Sequence, residues 1–223
     1  MFKEYTKRIG FCVGGLLMCG LGNFFGVKAG VAGTTSWNTL SLGIVEKTGI
    51  SFGTATFLIS LVIILIDLVG RGKIGIGSIL NTIIIAWSSD IYLRLFSFLP
   101  NAQSNLAGLP FALAGQCLVA FGSVIYMRSA LGCGPRDTLM VLIGKKLPKF
   151  PIGLVRFCLE AGALCVGLLL GAPFGIGTVA VMVLQASVFQ LACNISHCEP
   201  RSIPHEDVLD TLRRIRGSKV LSK

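Results

Sequence analysis

The chain has 223 residues, of which 53% are hydrophobic and only 13% are charged, and its formal net charge is +10. Soluble domains have about 25% charged residues, so the composition excludes an ordinary soluble protein. The basic residues stand in short clusters between apolar runs, which favours lipid headgroups over nucleic acid as their partner. The sequence therefore indicates a protein that lies in the lipid bilayer.

Six apolar runs are long enough, or nearly so, to cross a hydrocarbon core of about 30 Å. In chain order they cover residues 11–27, 53–69, 76–98, 109–127, 153–170 and 176–195. Two further apolar segments, 35–45 and 135–143, are too short to cross, and we expect them to be re-entrant or interfacial half-helices. Because the loops between the runs are short, residues 1–196 are predicted to form a single transmembrane domain.

The chain contains an internal repeat. A motif at residues 130–139, ALGCGPRDTL, has a weaker copy at 31–40, VAGTTSWNTL, 99 residues earlier. Two more matches follow at a separation of 100 residues: ISFG with FPIG, starting at Ile50 and Phe150, and IGIGS with FGIGT, starting at Ile74 and Phe174. Three such matches indicate a duplication, with repeat 1 at about residues 10–99 and repeat 2 at about residues 108–196.

The distribution of basic residues predicts the orientation of the spans. If the two short segments do not cross, 17 of the 20 Lys and Arg residues lie on one side, and only Lys28, Lys47 and Arg94 lie on the other. The positive-inside rule then places both termini in the cytoplasm. With three spans per half, the second repeat enters from the opposite face. The expected fold is an all-α membrane protein of six transmembrane helices plus two half-helices, in two inverted repeats at about residues 1–100 and 101–200.

Residues 197–223 are more polar and are predicted to form a cytoplasmic tail with a short amphipathic helix. Pro204 stands at the helix start, and Arg213, Arg214 and Arg216 lie in the last turn, where they complement the helix dipole. The apolar face of this helix would pack on the protein or lie on anionic lipid, and docking of a partner is the alternative.

Ionisable and polar residues at membrane depth are functional candidates, because burial of a charge in lipid costs several kcal/mol. Small residues and a proline break the helix before residue 136, so the next half-helix could point its positive N-terminus, and an Arg fork, at an anion. The candidate substrate-binding residues are those of the two motif copies: Trp37, Asn38, Gly134, Pro135, Arg136 and Asp137. The alternative is that Asp137 caps the short helix while Arg136 and Trp37 lie at the membrane interface.

Arg156 and Glu160 have i, i+4 spacing at the start of the fifth run, so they can pair on one helical face. They are interpreted either as a proton-coupling pair, with Glu160 as the proton carrier, or as a structural ion pair. The same spacing relates Asp90 to Arg94 and predicts an interface clamp between Asp67 and Arg71. The other intramembrane polar candidates are Asp90, Asn81 and Gln185.

The sequence predicts no enzyme chemistry, cofactor or metal. No histidine stands in a span, and no nucleophile–base pair is evident. The eight cysteines form no C-x-x-C pair and lie mostly in apolar runs, so we expect reduced, structural thiols. His197, Cys198 and His205 are too sparse for a metal site.

The duplicated pattern A-x-L-G-x-G-P-x-D, followed by a short segment, a span and a G-I-G-[ST] turn, resembles the YczE-type bacterial integral membrane protein family, near the YitT-like group. The likeness runs from about residue 9 to residue 195, and the first half departs from it at Ser36 and Asn38. The residues that match best are Ala130, Gly132, Gly134, Pro135, Arg136, Asp137, Gly175, Ile176, Gly177 and Thr178. The resemblance implies a membrane fold and a cell-membrane location, and it implies neither a substrate nor a reaction.

Inverted repeats, helix-breaking glycines and ionisable residues at depth favour a small secondary transporter or permease for a small-molecule substrate, with anions as one candidate class. The alternative is a non-transporting membrane protein that supports the assembly or regulation of other complexes. Assembly into a homo-oligomer stays open. A polar crevice that reaches Arg136, Asp137, Trp37 and Asn38 would favour transport, whereas a dry, packed interior would favour the alternative.

Overall fold

The computed structural model describes residues 2–72 and 74–197, so the predicted tail helix and Lys73 lie outside the described residues. Within these residues the chain is helical and has no β-strand. A short 3-10 turn, Gly30–Ala32, separates the first two helices. The helices are α1 (Phe2–Lys28), α2 (Ser36–Thr48), α3 (Phe52–Val69), α4 (Ile76–Leu95), α5 (Asn105–Met127), α6 (Pro135–Lys146), α7 (Ile152–Leu169) and α8 (Ile176–Ile195).

Five helices in the described part of the chain are long and apolar enough to cross a membrane. They are residues Tyr5–Lys28 of α1, and the whole of α3, α4, α5 and α8. Helix α7 has 18 residues, as many as α3, and it carries Arg156 and Glu160. Helices α2 and α6 have 13 and 12 residues, so at 1.5 Å per residue each is only about 20 Å long. The expectation that these two segments are too short to cross agrees with their length.

Local sequence explains where the short helices begin and end. The Thr35 hydroxyl caps α2 by accepting a hydrogen bond from the Asn38 backbone N–H at 3.3 Å. Gly49 then ends α2 in the left-handed conformation, with φ of 71°. Helix α6 begins with Pro135, whose fixed φ suits the first helical position and which has no N–H to leave unpaired. Both half-helices are therefore specified by their own end residues.

Helices α1 and α5 form the centre of the bundle and pack closely through glycines. Gly22 lies against Gly115, where a Cβ on Gly22 would come within 2.7 Å of the Gly115 carbonyl oxygen. Gly15 lies against Gly122, where a Cβ on Gly15 would come within 2.6 Å of the Gly122 carbonyl oxygen. Earlier residues of α1 meet later residues of α5, so the two helices are antiparallel. Small residues on both sides permit this close approach.

The other helices surround this central pair. Helix α4 packs on α1 and α8 packs on α5, while α2 packs on α7 and α6 packs on α3. The α2–α7 contact is close, because a Cβ on Gly43 would come within 2.6 Å of the Gly167 carbonyl oxygen. The α3–α6 contact is an apolar cluster that includes Ile59, Ile63 and Leu139. Each half-helix therefore rests on a long helix from the other half of the chain.

The G-I-G turns of the sequence contact the segments that precede the half-helices. Gly132, with φ of 130°, lies against Gly75, where a Cβ on Gly132 would come within 2.7 Å of the Gly75 Cα. Gly33, with φ of 78°, lies against Gly175, where a Cβ on Gly33 would come within 3.1 Å of the Gly175 nitrogen. Glycine is needed at Gly132 and Gly33 because a side chain would meet both a strained backbone and a neighbour. These contacts explain the two motifs as packing partners.

Candidate functional site

A cavity of about 200 Å³ lies between the helices, and all eight helices contribute to its lining. Its wall contains ten of the eleven candidate residues from the sequence: Trp37, Asn38, Asn81, Gly134, Pro135, Arg136, Asp137, Arg156, Glu160 and Gln185. Its other polar lining residues include Asn23, Thr56, Ser60, Gln116, Ser123 and Tyr126. The interior is therefore a polar crevice that reaches the residues of both motif copies.

Arg136 and Trp37 form the most distinctive pair in this cavity. The Arg136 guanidinium carbon lies 4.7 Å from the centre of the Trp37 ring, which is a cation–π contact. Arg136 is half-buried, and its guanidinium makes no hydrogen bond or ion pair within the described part of the chain. The contact therefore holds the guanidinium over the ring while its N–H donors stay available to the cavity.

Glu160 interacts with Trp37 and not with Arg156. Its Oε1 accepts a hydrogen bond from Trp37 Nε1 at 3.3 Å. No ion pair joins Glu160 to Arg156 among the residues that the structure describes, and Arg156 is exposed. The i, i+4 pair that their spacing permits is therefore absent, because the Glu160 side chain turns to the neighbouring helix α2. The Trp37 ring thus has the Arg136 guanidinium over its face, while its N–H donates to the Glu160 carboxyl group.

Asp137 lies in the first turn of α6, where a negative charge interacts favourably with the helix N-terminus. Its Oδ2 accepts a hydrogen bond from the Tyr126 hydroxyl at 3.4 Å, and that hydroxyl accepts one from the Gly134 backbone N–H at 3.2 Å. The N-cap of α6 is Gly134, so Asp137 is not the capping residue. Tyr126 and Asp137 instead hold the start of α6 to the end of α5.

Asn38 is the central member of a buried hydrogen-bond chain. Its Nδ2 donates to Asn23 Oδ1 at 3.1 Å, and Asn23 Nδ2 donates to Ser89 Oγ at 3.3 Å. Asn38 is 2% exposed, and the chain joins α2 to α1 and α4. By contrast, Asn81 and Gln185 are half-buried at the wall and have no side-chain hydrogen bond within the described residues. Their amides are therefore available to a bound solute.

Asp90 is the one candidate that does not line the cavity. Its two carboxylate oxygens accept hydrogen bonds from the Gly53 backbone N–H at 2.6 Å and from the Ser51 hydroxyl. Asp90 thus caps the N-terminus of α3 from the side of α4, and it forms no ion pair with Arg94 among the described residues. Its role is structural.

The predicted clamp between Asp67 and Arg71 is wrong. Asp67 is completely buried, and neither of its carboxylate oxygens has a hydrogen-bond partner among the described residues. Helix α3 ends at Val69, and Arg71 is exposed with φ of 60°. Helical i, i+4 geometry therefore does not apply to this pair.

Sequence reasoning missed several cavity residues, notably Asn23, Thr56, Ser60, Ser123 and Tyr126. A signal was present for two of them, because Thr56 and Ser60 stand 100 residues before the candidates Arg156 and Glu160. Both follow from these partners once the repeat is used as a map. Asn23 and Ser123 are also 100 residues apart, but neither was a candidate, so neither pointed to the other.

The described residues show no metal centre at this site, and the thiol that precedes α6 is protonated. No group of three or more His, Cys, Asp or Glu residues in this part of the chain could hold a metal ion. Burial, and secondarily the nearby Asp137, raises the pKa of the Cys133 thiol to about 12, so this thiol stays protonated at neutral pH. The cavity wall offers a guanidinium, an aromatic face, carboxyl groups and neutral hydrogen-bonding groups.

Apolar membrane-length helices around a polar cavity define an all-α integral membrane protein. The chain belongs to a family described as a family of unknown function (DUF6198), which matches residues 6–194.

The relatives support this assignment. An "Uncharacterized protein" of Haemophilus influenzae is 34% identical over 206 residues, 92% of each chain. The "Uncharacterized membrane protein YczE" of Bacillus subtilis is 27% identical over 195 residues, 86% of this chain and 88% of the relative. No solved structure matches the chain significantly. The resemblance to YczE-type membrane proteins is confirmed.

Proposed function

We propose that the protein is a small secondary transporter whose substrate, a small molecule with an anionic group, binds in the central cavity. In this proposal α7 is the sixth transmembrane helix, and the chain forms two inverted repeats of three spans and one half-helix each. Both termini face the cytoplasm, and the membrane is the plasma membrane. The protein catalyses no reaction and needs no cofactor, and its partners are the lipid bilayer and the transported solute.

The helix contacts support the inverted repeat. The central helices α1 and α5 are the first helices of the two halves, and they are antiparallel. Three sets of neighbouring contacts occur in matching pairs: α1–α4 with α5–α8, α2–α7 with α6–α3, and α2–α3 with α6–α7. The α3–α4 contact is the exception, because α7 and α8 do not pack on each other in the same way. A two-fold axis in the membrane plane produces such pairs, and inverted repeats of this kind are common among secondary transporters.

The cavity lining supports a site on that axis. Several lining residues occupy equivalent positions of the two halves, at the separations of 99 or 100 residues that relate the sequence motifs. The pairs are Asn23 and Ser123, Trp37 and Arg136, Asn38 and Asp137, Thr56 and Arg156, and Ser60 and Glu160. In each of the last four pairs the second half supplies the charged residue. The site thus combines a symmetric frame with a chemically asymmetric wall, and repeat interfaces are where transporters bind substrate.

The observation that carries the proposal is the Arg136 guanidinium. It is half-buried at the start of α6, stacked on Trp37, and without a hydrogen bond among the described residues. A carboxylate or phosphate could accept two parallel hydrogen bonds from it, with the positive N-terminus of α6 alongside. A role limited to assembly of other complexes would not require a polar interior with unused donors.

The test is a thermal-shift screen of the purified protein against a panel of small carboxylates, phosphate esters and inorganic anions. A ligand that binds the folded state at 100 times its Kd stabilises it by about 2.7 kcal/mol. We expect at least one anion to raise the melting temperature of the wild type but not of Arg136→Gln. Arg128→Gln, which removes an exposed arginine at the end of α5, is the matched control and should respond like the wild type.

Hits then enter an uptake assay in proteoliposomes. Uptake that is lost in Arg136→Gln and kept in Arg128→Gln supports transport. If anions stabilise the wild type and Arg136→Gln equally, Arg136 is not the anion-binding residue and the proposal is overturned.

Reporter fusions test the topology. Fusions at Gly72, between α3 and α4, and at Ala102, between α4 and α5, should report opposite sides of the membrane. Reporters on the same side at both positions would end the six-span topology.

A further inference from the structure

Asp67 is an acidic residue outside the cavity that the proposed function does not use. It lies near the C-terminal end of α3, it is 0% exposed, and both carboxylate oxygens lack a hydrogen-bond partner within the described residues. Burial of an ionised carboxylate without a partner costs several kcal/mol. The packing of this state therefore suits the neutral carboxylic acid far better than the anion.

No charged group among residues 2–72 and 74–197 forms an ion pair with Asp67. Charged and titratable residues do stand on the elements around it, and neither Asp67 oxygen has a hydrogen-bond partner among them. They are Arg71 after α3, Glu46 and Lys47 at the end of α2, Asp90, Tyr92 and Arg94 on α4, and Arg136, Asp137, Lys145 and Lys146 on α6.

The surroundings of Asp67 link it to α6. Gly72 donates its backbone N–H to the Asp67 carbonyl oxygen at 2.7 Å, and a Cβ on Gly72 would come within 3.0 Å of Thr138 Cγ2. Gly70 lies directly against the Leu142 side chain, with no room for a Cβ. Asp67 is thus enclosed where α3 meets α6, and α6 carries Arg136 and Asp137 at its first turn.

We propose that Asp67 is a proton-binding site whose ionisation is coupled to separation of α6 from α3. The anion of Asp67 needs water or a donor, and it can obtain either only when the α3–α6 contact opens. A state with α6 displaced therefore binds the proton more weakly, and proton release and α6 displacement favour each other. This displacement would carry Arg136 away from Trp37. Its part in a transport cycle rests on the proposed function.

The geometry favours a proton over a metal cation. A metal such as Ca²⁺ or Mg²⁺ is held by about six or more oxygen atoms, several of them from protein. No acidic, histidine or cysteine cluster capable of holding a metal is found within residues 2–72 and 74–197. A proton needs only the carboxyl group itself, which is what this enclosure provides.

Infrared spectroscopy of the full-length protein in lipid tests the proton site directly and needs no substrate. We expect the carbonyl band of a protonated carboxyl group without hydrogen bonds at neutral pH, and loss of that band at alkaline pH. The band should be absent from Asp67→Asn and present in Asp90→Asn, since Asp90 accepts two hydrogen bonds. Wild type and Asp67→Asn with identical spectra in this region would overturn the proposal.

Tryptophan fluorescence tests the coupling to α6. The chain has two tryptophans, so Trp87→Phe leaves Trp37, which is stacked on Arg136, as the reporter. In this background an alkaline titration should shift the Trp37 emission, and the shift should be lost with Asp67→Asn. A shift that survives Asp67→Asn and disappears with Glu160→Gln would overturn the coupling, because it would show direct titration of Glu160. A failed anion screen leaves both readouts intact, so the two proposals can fail separately.

Discussion

The guanidinium of Arg136 lies over the ring of Trp37 at 4.7 Å, and these two residues occupy the same position in the two copies of the motif. The two copies of the motif thus meet face to face at the cavity. The cation from one half is held by the aromatic ring from the other, so the site forms only when both halves pack together.

Loss of the Trp37 ring should weaken both the stability of the fold and its anion response. Trp37→Leu removes a cation–π contact that is worth about 0.5–2 kcal/mol and frees the Arg136 side chain to move. We expect a lower melting temperature in detergent and a smaller stabilisation by any anion that passes the screen. Trp87→Leu is the control, because Trp87 is 71% exposed. Equal effects of the two substitutions would contradict a special role for Trp37.

Glu160 and Arg156 should behave as independent residues. No ion pair joins them in the described part of the chain, so the effects of Glu160→Gln and Arg156→Gln on stability should add within about 0.3–0.5 kcal/mol in the double variant. Glu160→Gln keeps an acceptor for Trp37 Nε1 and should fold. If Glu160→Gln is unstable and the added Arg156→Gln rescues it, the result would support the structural ion pair that the spacing suggested. Whether Glu160 carries a proton during transport stays a prediction.

The close packing of α1 on α5 provides an internal control in adjacent glycines. A Cβ on Gly15 would come within 2.5 Å of the Tyr126 nitrogen, whereas a Cβ on Gly14 would meet nothing within 4 Å. Gly15→Ala should therefore destabilise the bundle by about 1–3 kcal/mol through overpacking. Gly14→Ala should be neutral or stabilising, because alanine favours the helix by up to about 1 kcal/mol. Thermal melts of the two variants decide the question, and similar losses would count against the glycine contact.

The sequence was sufficient for the helices and for part of the cavity wall. Hydrophobic runs predicted the long helices, end residues such as Thr35 and Pro135 delimited the short ones, and the motif copies contained Trp37 and Arg136. These features depend on local composition, so they can be read from one chain. Ten of the eleven candidate residues were identified in this way, and the structure brings these ten to one cavity.

The pairing of the charged residues could not be predicted from spacing. An i, i+4 rule assumes that the helix continues and that no tertiary partner competes. Helix α3 ends before Arg71, which leaves Asp67 alone. Asp90 accepts a hydrogen bond from the N-terminus of α3, and Glu160 accepts one from Trp37. Each of these partners comes from another helix, so it depends on how the two halves of the chain dock.

The two G-I-G turns offer a last matched comparison, because Ser78 and Thr178 stand at equivalent positions and differ in hydrogen bonding. The Ser78 hydroxyl donates to the Cys133 carbonyl and accepts from the Gly75 N–H at 3.3 Å. The Thr178 hydroxyl is buried and has no partner among the described residues. Removal of the Ser78 hydroxyl therefore breaks two hydrogen bonds, whereas removal of the Thr178 hydroxyl breaks none among the described residues.

Ser78→Ala should destabilise the protein by about 1–3 kcal/mol, since it leaves a buried carbonyl and a buried N–H without their partner. Thr178→Val keeps the shape of the side chain and discards a hydroxyl that gains nothing from burial, so the melting temperature should stay the same or rise. The measurement is the midpoint of thermal unfolding of both variants in one detergent. A loss in Thr178→Val as large as that in Ser78→Ala would mean that the Thr178 hydroxyl has a partner in the membrane-embedded protein. The proposed difference between a hydrogen-bonded Ser78 hydroxyl and an unsatisfied Thr178 hydroxyl would then be wrong.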